Sequence, residues 1–393
     1  MLRRTAYPEM SDRKKAAAAT VAGVSRELIA LSERLHANPE TAWQEHRAAD
    51  WVGSVLSAQG FTVTPRYLGL ETALLATYGS GPIRIGICAE YDALPGLGHA
   101  CGHNLIAASS VGAALALAPL ADELGLTVSV YGTPAEEGGG GKIEMLKRGA
   151  FAGLDLAMMA HPAPVDVAEA EPFAVSHSHV AYRGKAAHAA AYPEHGVNAA
   201  DAFTVAQVAI GLLRQQLPST VRVHGVMTSG GEAPNAIPEE TSGRWYVRAS
   251  TLAELAEVEP RIRRCFEAGA LATGCTLTIE PESEPYSEFR ADARALAFYR
   301  RNAVELGRVF ADGSTASRMN RASTDMGNVS LVVPAIHPYI GIGSLPALNH
   351  QREFAAHCVG PLAEKALLDA ATALAWTAID CARTPSPTGP DPR

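Results

Sequence analysis

Apolar positions recur every three to four residues over 23–36 (GVSRELIALSERLH), so that Leu28, Leu31 and Leu35 fall on one helical stripe. Asn38-Pro39 ends that helix, because the residue before a proline is pushed out of helical geometry. A second helix is expected over Glu45–Gln59, closed by Gly60. The pattern then changes. Ile83–Ala89, Leu126–Tyr131 and Leu154–Ala160 are short, nearly continuous apolar runs, with helical patterns at Asn104–Ala118 and Lys142–Lys147 between them. Strands buried on both faces and alternating with helices predict an α/β fold with a mixed, mainly parallel sheet flanked by helices.

Residues 175–288 follow another rhythm. Strands are expected at Ser176–Arg183, Val221–Thr228, Thr241–Ala249 and Thr276–Glu282, and helices at Asn198–Gln216 and Leu252–Gly269. Strand-helix-strand-strand-helix-strand is the order of a ferredoxin-like α+β domain. The earlier pattern resumes over 290–378, with short strands around Ala335–Ile342, so 175–288 reads as an insertion between 1–174 and 289–382. Residues 383–393 are proline-rich and expected to be a disordered tail. A chain of 393 residues is long enough for two hydrophobic cores.

A net charge of −8 with no dense basic run argues against a nucleic-acid partner. The six cysteines are scattered without disulfide-framework spacing, which suits a reducing compartment; a cytoplasmic location is expected. The charged N-terminus is followed only by the short run Ala16–Ala19, so no signal peptide is read, and no uninterrupted apolar run is expected to span a bilayer.

In a parallel sheet, ligands collect outside the carboxyl ends of the strands. Past the first run come Glu90-Tyr91-Asp92 and Gly98-His99-Ala100-Cys101-Gly102-His103-Asn104. Past the second come Pro134-Ala135-Glu136-Glu137 and four glycines; past the third comes His161-Pro162. Carboxylates, a thiol and imidazoles thus reach one edge. Thiolate and imidazole suit zinc, and a carboxylate-rich site also suits manganese or cobalt. Neighbouring glutamates in a loop can address two atoms, so Glu136 is assigned as general base and Glu137 as a metal ligand. The run Gly138–Gly141 with Lys142 fails as a phosphate loop, since Ile143 stands where Ser or Thr is needed and Ala135 where the first glycine belongs. His350, in Leu348-Asn349-His350-Gln351, is a further candidate ligand from far downstream.

The segments AEYDALPGLGHACGHN, PAEEGGGG, AHP, GKAAHAA and LNHQREF resemble, in order over about residues 30–360, the aminoacylase/carboxypeptidase family of dinuclear metallopeptidases. The similarity is to the amidohydrolase branch that includes p-aminobenzoyl-glutamate hydrolase, indole-acetyl-amino-acid hydrolases and beta-alanyl-lysine-type dipeptidases. The resemblance implies a zinc-peptidase-like catalytic domain holding two divalent ions, zinc or manganese with cobalt as an alternative. It implies Cys101, His103, Glu137, His161 and His350 as ligands, and Asp92 as the group orienting a ligand from behind. It also implies that 175–288 is a dimerisation or lid domain, making the chain a homodimer. In that domain His188 would polarise the substrate carbonyl and Asn235 would contact substrate. Many relatives carry His-x-Asp after the first strand; here Glu90 stands in place of that histidine, and the branch named uses Cys101 instead. Ser323–Ser330 resembles the dipeptidase-like members, which leans the substrate toward small dipeptides or N-acyl amino acids.

The expectation is therefore a metal-dependent amidohydrolase acting on a small amide, with no nucleic-acid or membrane partner. Two other readings differ in what they predict. A cysteine hydrolase with Cys101 as nucleophile and His103 as base would survive a chelator. A metal or amino-acid binding protein on the same fold would bind ligand without turnover.

Overall fold

The computed structural model describes residues 11–383. The chain divides into one unit built from Met1–Glu171 and Phe289–Arg393 and a second built from Pro172–Glu288. The expected tail lies outside the described residues except for Arg383, which closes the helix Pro361–Arg383.

The first unit is organised by a six-stranded sheet in the order β1 (Thr62–Pro65), β2 (Leu74–Tyr78), β4 (Leu126–Thr133), β3 (Ile83–Glu90), β5 (Leu156–Met158), β11 (Ala335–Ile336). β3 pairs in parallel with β4 and β5, and β5 with β11. β2 and β1 extend the edge antiparallel. The sequence reading missed these two. β1 is a four-residue strand with three exposed positions, so it carries no apolar run to betray it. The expected third strand, Leu154–Ala160, is shorter, and the chain then enters β6 (His161–Ala163), which leaves the main sheet to pair in parallel with β12 (Tyr339–Gly341).

Helix His103–Leu117 is buried at every position and lies against helices Ser25–Ala37 and Pro361–Arg383 and strand β3. Its small residues permit this. A Cβ on Gly112 would stand 2.7 Å from Leu28 and 2.9 Å from Ala371, closer than real carbon contacts. The stretch His103–Leu124, though broken by His103, Asn104, Ser109, Ser110, Asp122 and Glu123, is long and apolar enough by length and composition to cross a membrane. However, 94 % of its apolar window is buried inside the protein, in the core shared with Leu28, Leu31 and Leu367.

In the second unit the sheet order is β10 (Thr276–Pro281), β7 (Ala174–Arg183), β9 (Glu240–Ala249), β8 (Arg222–Ser229), antiparallel throughout. Helices Ala199–Leu213 and Leu252–Thr273 complete the ferredoxin-like topology. Phe203 and Phe266 from the helices close on Trp245 of β9, with ring centroids 5.1 and 5.4 Å away.

Candidate metal centre

Because β3 and β4 are parallel and in register to their last residues, Glu90 opposite Thr133, both loops leave from the same edge. The β3 loop returns as Cys101, Gly102 and His103, the last opening the buried helix. Gly102 has φ +83°, and a Cβ there would meet the Pro162 ring at 2.8 Å, so glycine is what lets the Cys101 turn lie against the His161-Pro162 strand. The β4 loop turns through Ala135, at the strained φ of +55°, to present Glu136 and Glu137. Glu45, buried at the start of helix His46–Ala58, accepts a hydrogen bond from the Ala135 N–H at 2.8 Å and holds that turn. Burial, then the neighbouring Asp92, raises the Glu45 carboxyl to about 7. His350, at φ +67°, is tied by its N–H to the Ala100 carbonyl.

These turns bring together the five residues expected as ligands. Cys101 Sγ lies 3.6 Å from His161 Nε2 and 3.4 Å from His350 Nε2. Glu137 Oε2 is 3.6 Å from His350 Nε2, and Glu137 Oε1 is 3.7 Å from His103 Nε2. Ligands at zinc bond lengths around a tetrahedral ion are separated by roughly 3.4 Å. His103, Cys101 and His161 are buried, whereas His350 sits at the open side.

The imidazoles are aimed from behind. His103 Nδ1 donates to Asp92 Oδ1 at 3.1 Å, and Asp92 Oδ2 accepts the Glu137 N–H at 2.9 Å. His161 Nδ1 donates to the Pro162 carbonyl at 2.8 Å, turning Nε2 toward Cys101. Buried His103 Nε2 and Glu137 Oε1 have no hydrogen-bond partner among the described residues. Such atoms are costly to bury unless something else, here a cation, takes their lone pairs. The donor set therefore fits a divalent metal of the zinc or manganese kind.

Electrostatics point the same way. Burial and then Glu137 and Glu136 push the Cys101 thiol well above its ordinary range. Burial followed by Glu90 and Glu137 holds Glu136 well above the usual carboxylate range. Burial pulls His103 down, but Asp92, Glu90 and Glu137 raise it well above normal. Burial and then His337 and His103 press His161 down to about 3, so it offers a neutral ring. A cation among the carboxylates and the thiol relieves this crowding of negative charge.

Four further groups line this edge for which the sequence reading gave no role there: Glu90, Lys142, Asp325 and His337. Glu90 and Asp325 hold the Lys142 ammonium at 2.6 and 2.7 Å, and all three are fully buried. Lys142 therefore faces inward and is unavailable as a phosphate-loop lysine. His337 is buried beside His161 and Tyr339, with neither ring nitrogen hydrogen-bonded among the described residues. The signal for it was its place just past the apolar Ala335–Ile336. His188 and Asn235, in the second unit, are exposed neighbours: the Ala189 N–H donates to the Asn235 carbonyl, and His188 Nδ1 accepts from the N–H of Ala191.

A mainly parallel sheet carrying His, Cys and Glu donors beside a second glutamate defines a metal-dependent hydrolase. Peptidase family M20/M25/M40 matches residues 86–374, and the chain belongs to that family as an amidohydrolase/peptidase. It is 41 % identical over 382 residues to the Xaa-Arg dipeptidase of Mus musculus, covering 93 % of this chain and 88 % of that one. It is 32 % identical over 268 residues to a p-aminobenzoyl-glutamate hydrolase chain of Escherichia coli (strain K12), covering 63 % of this chain and 56 % of that one. The fold matches a solved dinuclear metal-binding peptidase of Bacillus subtilis at a TM-score of 0.67 and 23 % identity, over 92 % of this chain and 99 % of that one.

Proposed function

We propose that this protein hydrolyses the amide bond of a small dipeptide or N-acyl amino acid, using two divalent ions, zinc or manganese, with cobalt as a working substitute. The carrying observation is the convergence of Cys101, His103, Glu137, His161 and His350 beside Glu136. Those five residues would hold the ions, and Asp92 fixes the His103 ring and the Glu137 backbone. When bound, the ions supply Lewis acidity toward the scissile carbonyl and the attacking water. Glu136, buried and proton-hungry, takes the proton of the water and delivers it to the leaving amine. His188 and Asn235, exposed side by side, contact the substrate, with His188 donating to the carbonyl oxygen as charge develops. Extensive identity to an Xaa-Arg dipeptidase supports a dipeptide with a basic C-terminal residue as the first substrate to try.

A cysteine nucleophile with His103 as base is disfavoured because Cys101 Sγ is paired with His161 and His350 rather than with His103, whose Nδ1 is held by Asp92. A homodimer through 175–288 is supported by the open edge strand β8 and by exposed Val208, Leu212 and Val226. Six free thiols support a reducing, cytoplasmic setting.

The test is a panel of Xaa-Arg dipeptides, other dipeptides, N-acyl amino acids and p-aminobenzoyl-glutamate, assayed with and without EDTA. Chelation should abolish turnover and zinc or manganese restore it; EDTA-resistant turnover would overturn the metal reading. Glu136→Gln should keep its metal content and lose at least about 100-fold in kcat. Near-normal turnover there would remove Glu136 as the base.

A further inference from the structure

Glu90 ends β3 and is fully buried. Its two carboxylate oxygens have different surroundings. Oε1 accepts from Lys142 Nζ at 2.6 Å. Lys142 is itself immobilised by Asp325, through its Nζ at 2.7 Å and its backbone N–H at 2.8 Å. Oε2 has no hydrogen-bond partner among the described residues, and it lies 3.6 Å from His103 Nε2. That nitrogen is equally unpartnered, and so is Glu137 Oε1, 3.7 Å from it. Two buried carboxylate oxygens thus flank one imidazole nitrogen at ligand-to-ligand separations, and none of the three atoms is otherwise satisfied.

We infer that Glu90 is a further metal ligand, binding through Oε2 an ion held by His103. This rests on the two-ion reading proposed above. Salt-bridging to Lys142 alone would satisfy Oε1 and leave Oε2 buried at a cost with nothing to offset it. A ligating carboxylate, by contrast, is characteristically hydrogen-bonded through its other oxygen, which fixes its rotamer. Lys142 does this and also offsets charge: Glu90, Asp325 and Lys142 together carry −1 rather than −2 beside Glu136. A position at His103 that gains the Glu90 carboxylate would favour the harder, oxygen-preferring metals.

Three measurements on the full chain test this. Metal-free wild type and Glu90→Gln are titrated with zinc and with manganese by calorimetry; both are loaded with cobalt and their visible absorption recorded; wild type is crystallised with zinc and the ions located by anomalous scattering. Glu90→Gln should weaken one of two binding events tenfold or more, with the larger loss for manganese, and shift the cobalt absorption. Glu90 Oε2 in the zinc crystal should lie at about 2.0–2.2 Å from one ion. Two unaltered binding events and an unchanged cobalt spectrum would overturn the inference while leaving the two-ion reading intact. So would a zinc crystal with Oε2 beyond bonding distance, a result that decides the matter even if the variant does not fold. Wild type that binds no metal would overturn the two-ion reading itself, and this inference with it.

Discussion

At the scale of single residues, the site is governed by what stands behind the donors. Asp92 receives one hydrogen bond from the His103 ring and one from the Glu137 backbone, so a single carboxylate sets two donors. Burial alone would raise its pKa, but His103 and the Glu137 N–H draw it below the ordinary value, keeping it an acceptor. Asp92→Asn should therefore weaken metal binding about 10- to 100-fold, read by calorimetry against wild type. An unchanged affinity would show that His103 needs no orienting partner. Cys101, His103, Glu136, Glu137 and His161 stood out in the sequence because each lies past an apolar run read as a buried strand, whereas the orienting role of Asp92 came from the family resemblance. Lys142 was visible but its role was not, since nothing local says that a lysine after four glycines turns inward toward Glu90 and Asp325.

At the scale of elements, small residues and buried rings decide packing. Gly112 sits where the central helix crosses Ser25–Ala37 and Pro361–Arg383. Gly112→Val should overpack that crossing and cost about 1–3 kcal/mol, measured by thermal unfolding. A neutral result would mean that the helices can slide apart. In the ferredoxin-like unit, His177 is buried between the rings of Tyr246 and Tyr286, and burial followed by Arg248 pushes it down to about 4. The unfolded chain binds the proton near 6.5, and the folded chain does not. Stability is therefore full above about 6.5 and is lost as pH falls toward 4, by up to about 1.4 kcal/mol per pH unit. Hydrogen exchange of β7 and β9 in the intact protein should quicken across that window, and His177→Phe should flatten the response. The same pH dependence in the variant would assign it to another group. The period-2 and period-3.6 patterns revealed most of these elements. They missed β1, whose edge position needs no apolar face, and the short strand β2 beside it, and did not foresee that the third strand would hand over to β6.

At the scale of the whole molecule, the proposed homodimer rests on an edge. β8 ends its sheet, and Val226 on it is 59 % exposed, as is Val208, with Leu212 at 71 %. Val226→Lys should shift the chain toward monomer in light scattering at a fixed concentration, because a buried ammonium cannot be paired there at low cost. An unaltered mass would place any self-association elsewhere.

Periodicity and strand-end chemistry, both local properties, were enough to read from the sequence the α/β class, the inserted ferredoxin-like order and the donor types. A strand buried on both faces must be apolar, so the first polar residues beyond it mark the working edge. Tertiary structure alone decided which donors face one another and at what distance. It brought His350 to Cys101 across 249 residues, and it left Glu90 with one oxygen on Lys142 and the other turned to His103. Distance in space between segments far apart in sequence is set by packing of the helices and sheet that carry them, and no local pattern encodes it.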